Sequence, residues 1–303
     1  MSNFTVDNGN LTLAVILSAA NILFSVTAIV GNYLILKALR KVLSLHSPTK
    51  LLLSCLAVTD IFVGFIPQPL FAVTIIAGIS TTNDLNPGVL LYITKIKSFS
   101  SYLLCTVSVF TSCAVSVDRL LALFLGIRYR HIVTVRCVLL LIFSFWFIGA
   151  SCGLIYIWRI DIAWSLVLVS LIILLLISSF SYTKIYLKLR HLQAQVHIRE
   201  HFQLGATNAG RTSLNIARYR KTVESIWWVQ VAFILCYVPF GVVATLRIHG
   251  GLSGSVMEIA RNFVVTLTYF NSSLNPFLYC YKMREVRRAV KITIGEITCY
   301  NIN

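Results

Sequence analysis

The feature that most limits how this chain can fold is the recurrence of apolar windows of about 20 residues, the length an α-helix needs to cross bilayer hydrocarbon. They begin near Leu11, Lys50, Val89, Val135, Ala163, Thr222 and Glu258, so seven membrane spans are expected. Hydrocarbon offers no partner to an exposed N–H or C=O, which leaves self-satisfied helices as the spanning element. Composition agrees: 57% of residues are hydrophobic and only 12% charged, against about 25% charged in a soluble domain. The expected fold is an all-α membrane protein, a seven-transmembrane helix bundle with a short cytoplasmic amphipathic helix. The polar start, Met1 to Asn10, lacks a basic n-region, so the first span is expected to act as the insertion signal.

Lys and Arg set the orientation. Taken alternately, the polar segments place Lys95, Lys97, Arg159, Arg247 and Arg261 on one side and the other 21 of the 26 basic residues on the opposite side. The positive-inside rule then puts the N-terminus outside the cell and the C-terminus in the cytoplasm, as for a multi-pass plasma-membrane protein. The net charge of +16 is mostly a cytoplasmic face beside anionic membrane lipid and calls for no nucleic acid. Sequons at Asn3 and Asn10 fall in the expected outer segment and are candidate glycosylation sites. The match at Asn271 lies inside a span and is set aside. No outer loop contains a cysteine, so no extracellular disulfide is expected.

Polar residues inside the spans carry the functional signal. Asp60 is the only acid well inside one, and a charge at that depth costs about 2.5–3.5 kcal/mol on insertion scales. The apolar run 259–280 contains Asn271-Ser272-Ser273-Leu274-Asn275-Pro276, where Pro276 removes a backbone donor just where polar side chains need partners. Local pairing in a kinked span and a functional cluster both explain that stretch. Asp118 and Arg119 end the third span, either as snorkelling anchors or as a working pair. Pro67 and Pro69 are expected to kink the second span, and 80–88 to form a polar outer loop. A very short outer loop is expected at 159–161, and 191–220 as the longest inner connection. His197 and His201 have metal-pair spacing without an acidic third ligand and read as solvated loop histidines. Residues 282–290 put charge on one face and apolar groups on the other, which suits an interfacial helix.

One landmark per span, in order, runs through the chain: Gly31-Asn32, Leu56-x-x-x-Asp60, Asp118-Arg119-Leu120, Trp146, Tyr182, Phe233-x-x-Cys236-Tyr237-x-Pro239 and Asn275-Pro276-x-x-Tyr279. Together they resemble the rhodopsin-like (class A) G-protein-coupled receptors over about residues 12–293. The resemblance implies an extracellular N-terminus (1–11), a seven-span receptor domain (12–281) and an amphipathic helix with a cytoplasmic tail (282–303). It implies a heterotrimeric G protein as partner, no enzymatic activity and no cofactor beyond an allosteric sodium ion.

Residue roles follow from the same resemblance. Arg119 is similar to the arginine that swings from Asp118 towards Tyr182 and Tyr279 when the inner side opens, and Ile127 to the apolar plug that the G protein receives. Phe233, Tyr237, Pro239, Asn275 and Pro276 take the remaining activation-switch positions. Asp60, Ser108, Asn271, Ser272 and Asn275 match the family's sodium pocket, a hard-oxygen set in agreement with the chemistry of a small cation. Arrestin is a further partner; the tail offers it only Thr293 and Thr298, with Thr207, Thr212, Ser213 and Thr222 as the alternative.

Departures from the family pattern are several. Leu120 replaces a tyrosine, Tyr237 a tryptophan, Leu174 the fifth-span proline, Gly126 a loop proline and Thr94 a cysteine. Tyr219 stands where some members have an acid that restrains Arg119. The missing disulfide, short outer loop and absent proline lean towards the melanocortin-receptor branch, although that branch's calcium and peptide acids correspond here to Leu70, Thr94 and Ser98. Ser101 stands where amine receptors carry aspartate, and Tyr269 where opsins carry the retinal lysine. Ser101, Cys105, Ser170, Phe240 and Tyr269 are expected to line a mostly apolar pocket, which suits a lipid or peptide ligand better than an amine. Ordinary interhelical packing explains the same five residues about as well.

Rival classes need other residues. A transporter or channel, the alternative reading, wants paired ionisable groups at the midplane, where Asp60 is alone. A membrane hydrolase wants a His/Asp metal cluster, and all six histidines lie in loops or at span edges.

Overall fold

The computed structural model describes residues 8–42, 45–78, 86–202, 231–248, 254–282 and 284–300. They form α1 (Asn8–Lys41), α2 (Ser47–Phe65), α3 (Pro67–Ala77), α4 (Pro87–Leu125), a 3₁₀ turn (Gly126–Arg128) and α5 (Tyr129–Ile132). Then come α6 (Val135–Trp158), α7 (Ile160–Phe202), α8 (Val231–Ile248), α9 (Gly254–Lys282) and α10 (Arg284–Tyr300). Asn10 lies on the first turn of α1, whereas Asn3, Tyr219, Thr207, Thr212, Ser213 and Thr222 lie outside the described residues.

Seven spans result, with α2 and α3 sharing one. The break between these two sits at Ile66 (φ −113°, ψ −74°), the residue before Pro67, where the proline ring crowds the helical conformation. Six described spans are long and apolar enough to cross a membrane. The seventh, α9, has 29 residues, about 43 Å at helical rise, and is more polar than the apolar run expected at 259–280. Its polar face is turned inward: Asn271, Ser272, Ser273 and Asn275 are all buried.

That burial is tolerable because α1 supplies partners along α9. Asn21 Nδ2 donates to Thr266 Oγ1 at 2.9 Å, Ser273 Oγ to the Phe24 carbonyl at 2.7 Å, and Asn32 Nδ2 to the Ser272 carbonyl at 3.0 Å. The last bond answers a local defect. Pro276 has no N–H to give the carbonyl four residues earlier, and that carbonyl belongs to Ser272. Gly31 completes the fit, since a Cβ there would stand 2.7 Å from Pro276 Cγ. Elsewhere Gly149 lets α6 approach the Leu103 carbonyl of α4, where an added Cβ would lie 2.7 Å from that oxygen, the small-residue packing expected between membrane helices.

Several boundaries differ from the sequence reading. The outer loop expected at 80–88 ends earlier, because Asn86 caps α4 by accepting from Gly88 N–H at 2.9 Å and Pro87 is well suited to a first helical turn. The loop expected at 159–161 shrinks to Arg159 (φ −141°, ψ 82°). The inner connection expected from 191 is still helical through Phe202, the last described residue of α7, so His197 and His201 lie on a helix and not in a loop. With Leu174 in place of proline, α7 runs without a central bulge. The amphipathic helix expected at 282–290 extends as α10 to Tyr300. It lays Val286, Ala289 and Val290 against Ile35, Ala38, Leu39 and Val42 of the α1 end. Arg287, Arg288 and Lys291 stay exposed on its other side.

Candidate functional site

The inner end of the bundle is organised around Asp118, which is buried at the end of α4. Its carboxylate accepts from Tyr129 Oη at 2.5 Å and from Thr49 Oγ1 at 2.8 Å. Among the described residues it makes no ion pair with Arg119; the described ion pairs are Lys41–Glu296 and Arg261–Glu258. The Arg119 guanidinium instead lies within electrostatic range of the Tyr129, Tyr182 and Tyr279 hydroxyls. Tyr182 Oη shares a hydrogen bond of 2.7 Å with Ser116, and Tyr279 is packed with Leu56 and Ala57. The expected direct restraint of Arg119 by Asp118 is therefore replaced by two neutral donors on Asp118.

Below this network the chain turns at Gly126 (φ 52°, ψ −117°). Proline, the residue it replaces, is locked near −65° and cannot adopt that conformation. The turn leaves Ile127 89% exposed, an apolar side chain with nothing over it at the inner mouth of the bundle.

Midway, Asp60 on α2 is completely buried. Asn275 Nδ2 donates to it at 2.7 Å and Ser108 Oγ at 3.5 Å, with Ser272 a third hydrogen-bonding partner. Three of the residues read as a cation pocket thus converge on the carboxylate of the fourth, Asp60, and the four come from three helices. The fifth, Asn271, reaches the Tyr237 hydroxyl. One carboxylate, two hydroxyls and an amide make a hard-oxygen set that fits a small monovalent cation.

Outside this lies a cavity of about 130 Å³ between α3, α4, α6, α7, α8 and α9. Ser101, Cys105, Ser170, Phe240 and Tyr269 all line it, as does Tyr237. Ser101 and Tyr269 share a hydrogen bond of 2.5 Å across its floor, and Trp164 stacks on Phe240 at 5.2 Å. Tyr237 joins the two regions, because it lines the cavity, contacts Asn271 and packs on Phe233 at 4.6 Å. Pro239 lies in α8 between Tyr237 and Phe240.

The match to known proteins follows the same frame. The model of the 7 transmembrane receptor (rhodopsin family) matches residues 31–160 and 151–279. The chain belongs to the rhodopsin family of seven-transmembrane receptors. Human melanocortin receptor 5 is 27% identical over 286 residues, 90% of this chain and 81% of its own length. Sheep adenosine receptor A3 is 24% identical over 287 residues (88% and 85%), and human trace amine-associated receptor 5 is 22% identical over 293 residues (88% and 81%). Melanocortin receptors stand beside amine and adenosine receptors at similar identity, so the leaning to that branch is compatible with the matches and is not singled out by them. The protein is thus a G-protein-coupled receptor, a multi-pass membrane protein and not an enzyme, and the transporter or channel alternative is disfavoured.

Sequence reasoning missed several of the receptor's site residues. Tyr129 and Thr49, the two donors to Asp118, carry no motif, and only the turn at Gly126 brings Tyr129 back under α4. Lys97 and Arg261 line the outer cavity, yet in the sequence they served only to establish orientation.

Proposed function

We propose that the outer cavity receives an extracellular ligand and that Tyr237 passes its occupancy to the inner end, where Arg119 and Ile127 engage the G protein. The observation that carries this reading is the position of Tyr237, with its ring on the cavity and its hydroxyl on Asn271 beside the Asp60 cluster. Phe233, Pro239, Asn275, Pro276, Tyr182 and Tyr279 are the parts that rearrange between the two ends. Asp118 releases Arg119 by keeping its own donors, Tyr129 and Thr49. The N-terminus faces outward across the plasma membrane, and Asn10, with Asn3, is the site of glycosylation.

Asp60, Ser108, Ser272 and Asn275, with Asn271 behind them, would hold the sodium ion, which when bound supplies positive charge to a buried carboxylate. The relatives' names point to melanocortin, adenosine and trace amines. In this receptor Ser101 holds Tyr269 where an amine would want a carboxylate, so a lipid or peptide group fits the apolar cavity better. Arrestin is the expected second cytoplasmic partner.

The test is expression of the full chain with a second-messenger readout for several G proteins, beside ion and solute flux in vesicles. Output that depends on a G protein, with no flux, is the expected result. Flux without such output would overturn the reading.

A further inference from the structure

The outer cavity has an electrostatic imbalance that its apolar lining does not reveal. Of the five basic residues on the outer side, Lys97 and Arg261 line the cavity itself, and Arg247 sits with its guanidinium 5.5 Å above the Trp164 ring. No described acidic side chain lines the cavity. Glu258 meets Arg261 at 3.5 Å, but from one turn along the same helix and with two-thirds of its side chain exposed. A pair so long and so wet contributes little. Among the described residues Lys97 has only the face of Phe71, 5.5 Å away. Its ammonium is therefore half-buried beside a second cation without a carboxylate to balance it.

Trp164 lines the cavity, is 6% exposed, and buries an indole N–H with no acceptor. Around it the hydroxyls of Ser98 and Tyr102 also border the space. Ammonium, guanidinium and hydroxyls can all donate, and they stand on two helices, α4 and α9. Most of the rest of the wall is aromatic or aliphatic, interrupted by Ser101, Cys105, Thr106, Ser170 and Thr268, and about 130 Å³ is close to the volume of an engineered cavity that accepts benzene.

We infer that this receptor's ligand is an amphiphilic organic acid whose anionic head lies between Lys97 and Arg261 while an apolar group of about ring size fills the cavity beside Trp164 and Phe240. The inference rests on the outer cavity being the ligand site. It adds the charge of the ligand and the residues that read it. A cationic ligand is rejected by the same two side chains, because a positive head would meet Lys97 and Arg261 without a counter-ion.

The experiment uses the purified full-length receptor in nanodiscs, with thermal stabilisation as the readout. Phenylacetate, phenylacetamide and phenethylamine share one body and differ in charge. Phenylacetate is expected to stabilise the receptor at about tenfold lower concentration than the amide, the value of one charge-assisted contact, and the amine not at all. Lys97→Gln and Arg261→Gln should each weaken the acid by about tenfold and leave the amide unchanged, while Lys97→Arg keeps the wild-type response. Decanoate and lysophosphatidate arms separate a free acid from a phospholipid source, and dependence of either on Lys97 and Arg261 upholds the site. Equal action of acid and amide, preference for the amine, or no response to any of the three acids overturns it. The binding readout does not require signalling. Acids that bind with no G-protein response would overturn the receptor mechanism and leave this site standing. Arg119-dependent signalling in a protein that no acid stabilises would do the reverse.

Discussion

The inner and outer halves of the bundle treat buried polarity in opposite ways. In the inner half each buried carboxylate has its donors: Asp118 takes Tyr129 and Thr49, and Asp60 takes Asn275, Ser108 and Ser272. In the outer half two cations line one cavity with little to balance them: Lys97 has no described carboxylate and Arg261 only the long, exposed pair with Glu258. A satisfied network holds one arrangement until something competes for its members. An unsatisfied one is completed only by an incoming group. Under the proposed function the outer half receives the ligand and the inner half is a restrained switch, with Tyr237 between them.

The comparison breaks most visibly at Arg119. Arg119→Ala should reduce G-protein activation to background while surface expression persists; an expressed variant that signals at wild-type level removes Arg119 from the switch. Next in size is Gly149→Val, which strikes the scaffold shared by both halves. Its Cβ would lie 2.7 Å from the Leu103 carbonyl oxygen, and such overpacking costs about 1–3 kcal/mol, so the purified receptor should melt earlier by several degrees. An unchanged melting temperature would show that α4 and α6 can part there without penalty.

Asp60→Asn sharpens the inner half specifically. In the wild type, raising sodium should lower basal signalling relative to potassium at the same ionic strength, by the ion's differential affinity for the two states. The variant should erase that difference. If sodium and potassium act alike on the wild type, Asp60 is a hydrogen-bonded acid and not an ion site. Tyr129→Phe is a smaller perturbation of the same half. It removes one donor from Asp118 and frees that carboxylate to pair with Arg119, so basal output should fall by up to about tenfold, the worth of one hydrogen bond to a charge. A rise would mean that Tyr129 restrains the active arrangement instead.

The smallest effect is expected at the tail. Thr293 is 1% exposed and its hydroxyl bonds the Ala289 carbonyl at 2.9 Å, which hides one of the two tail threonines from a kinase. Truncation after Gly295 removes Thr298 and the exposed Lys41–Glu296 pair, a contact of little energetic weight. Arrestin recruitment should barely change, and a large drop would locate the phosphate cluster in the tail.

Local pattern alone was enough for seven spans, for their orientation as an expectation, and for one landmark in each. Apolar length and the need for backbone satisfaction act within a single segment, so they are legible without knowing any neighbour. The same logic marked Asp60, Asn271, Ser272 and Asn275 as polar groups in need of partners. Which partner each obtains is a different kind of question. Asn32 reaching the carbonyl that Pro276 leaves open, Tyr129 returning to Asp118, and Lys97 meeting Arg261 and Trp164 around one cavity all join residues far apart in the chain. The length of α7 and of α10 also escaped the pattern, because polar helical turns beyond the membrane look like loop in a reading led by hydrophobicity. Sequence determined that polar atoms in hydrocarbon must be satisfied; only the packed bundle decided which were satisfied by the chain and which were left for a ligand.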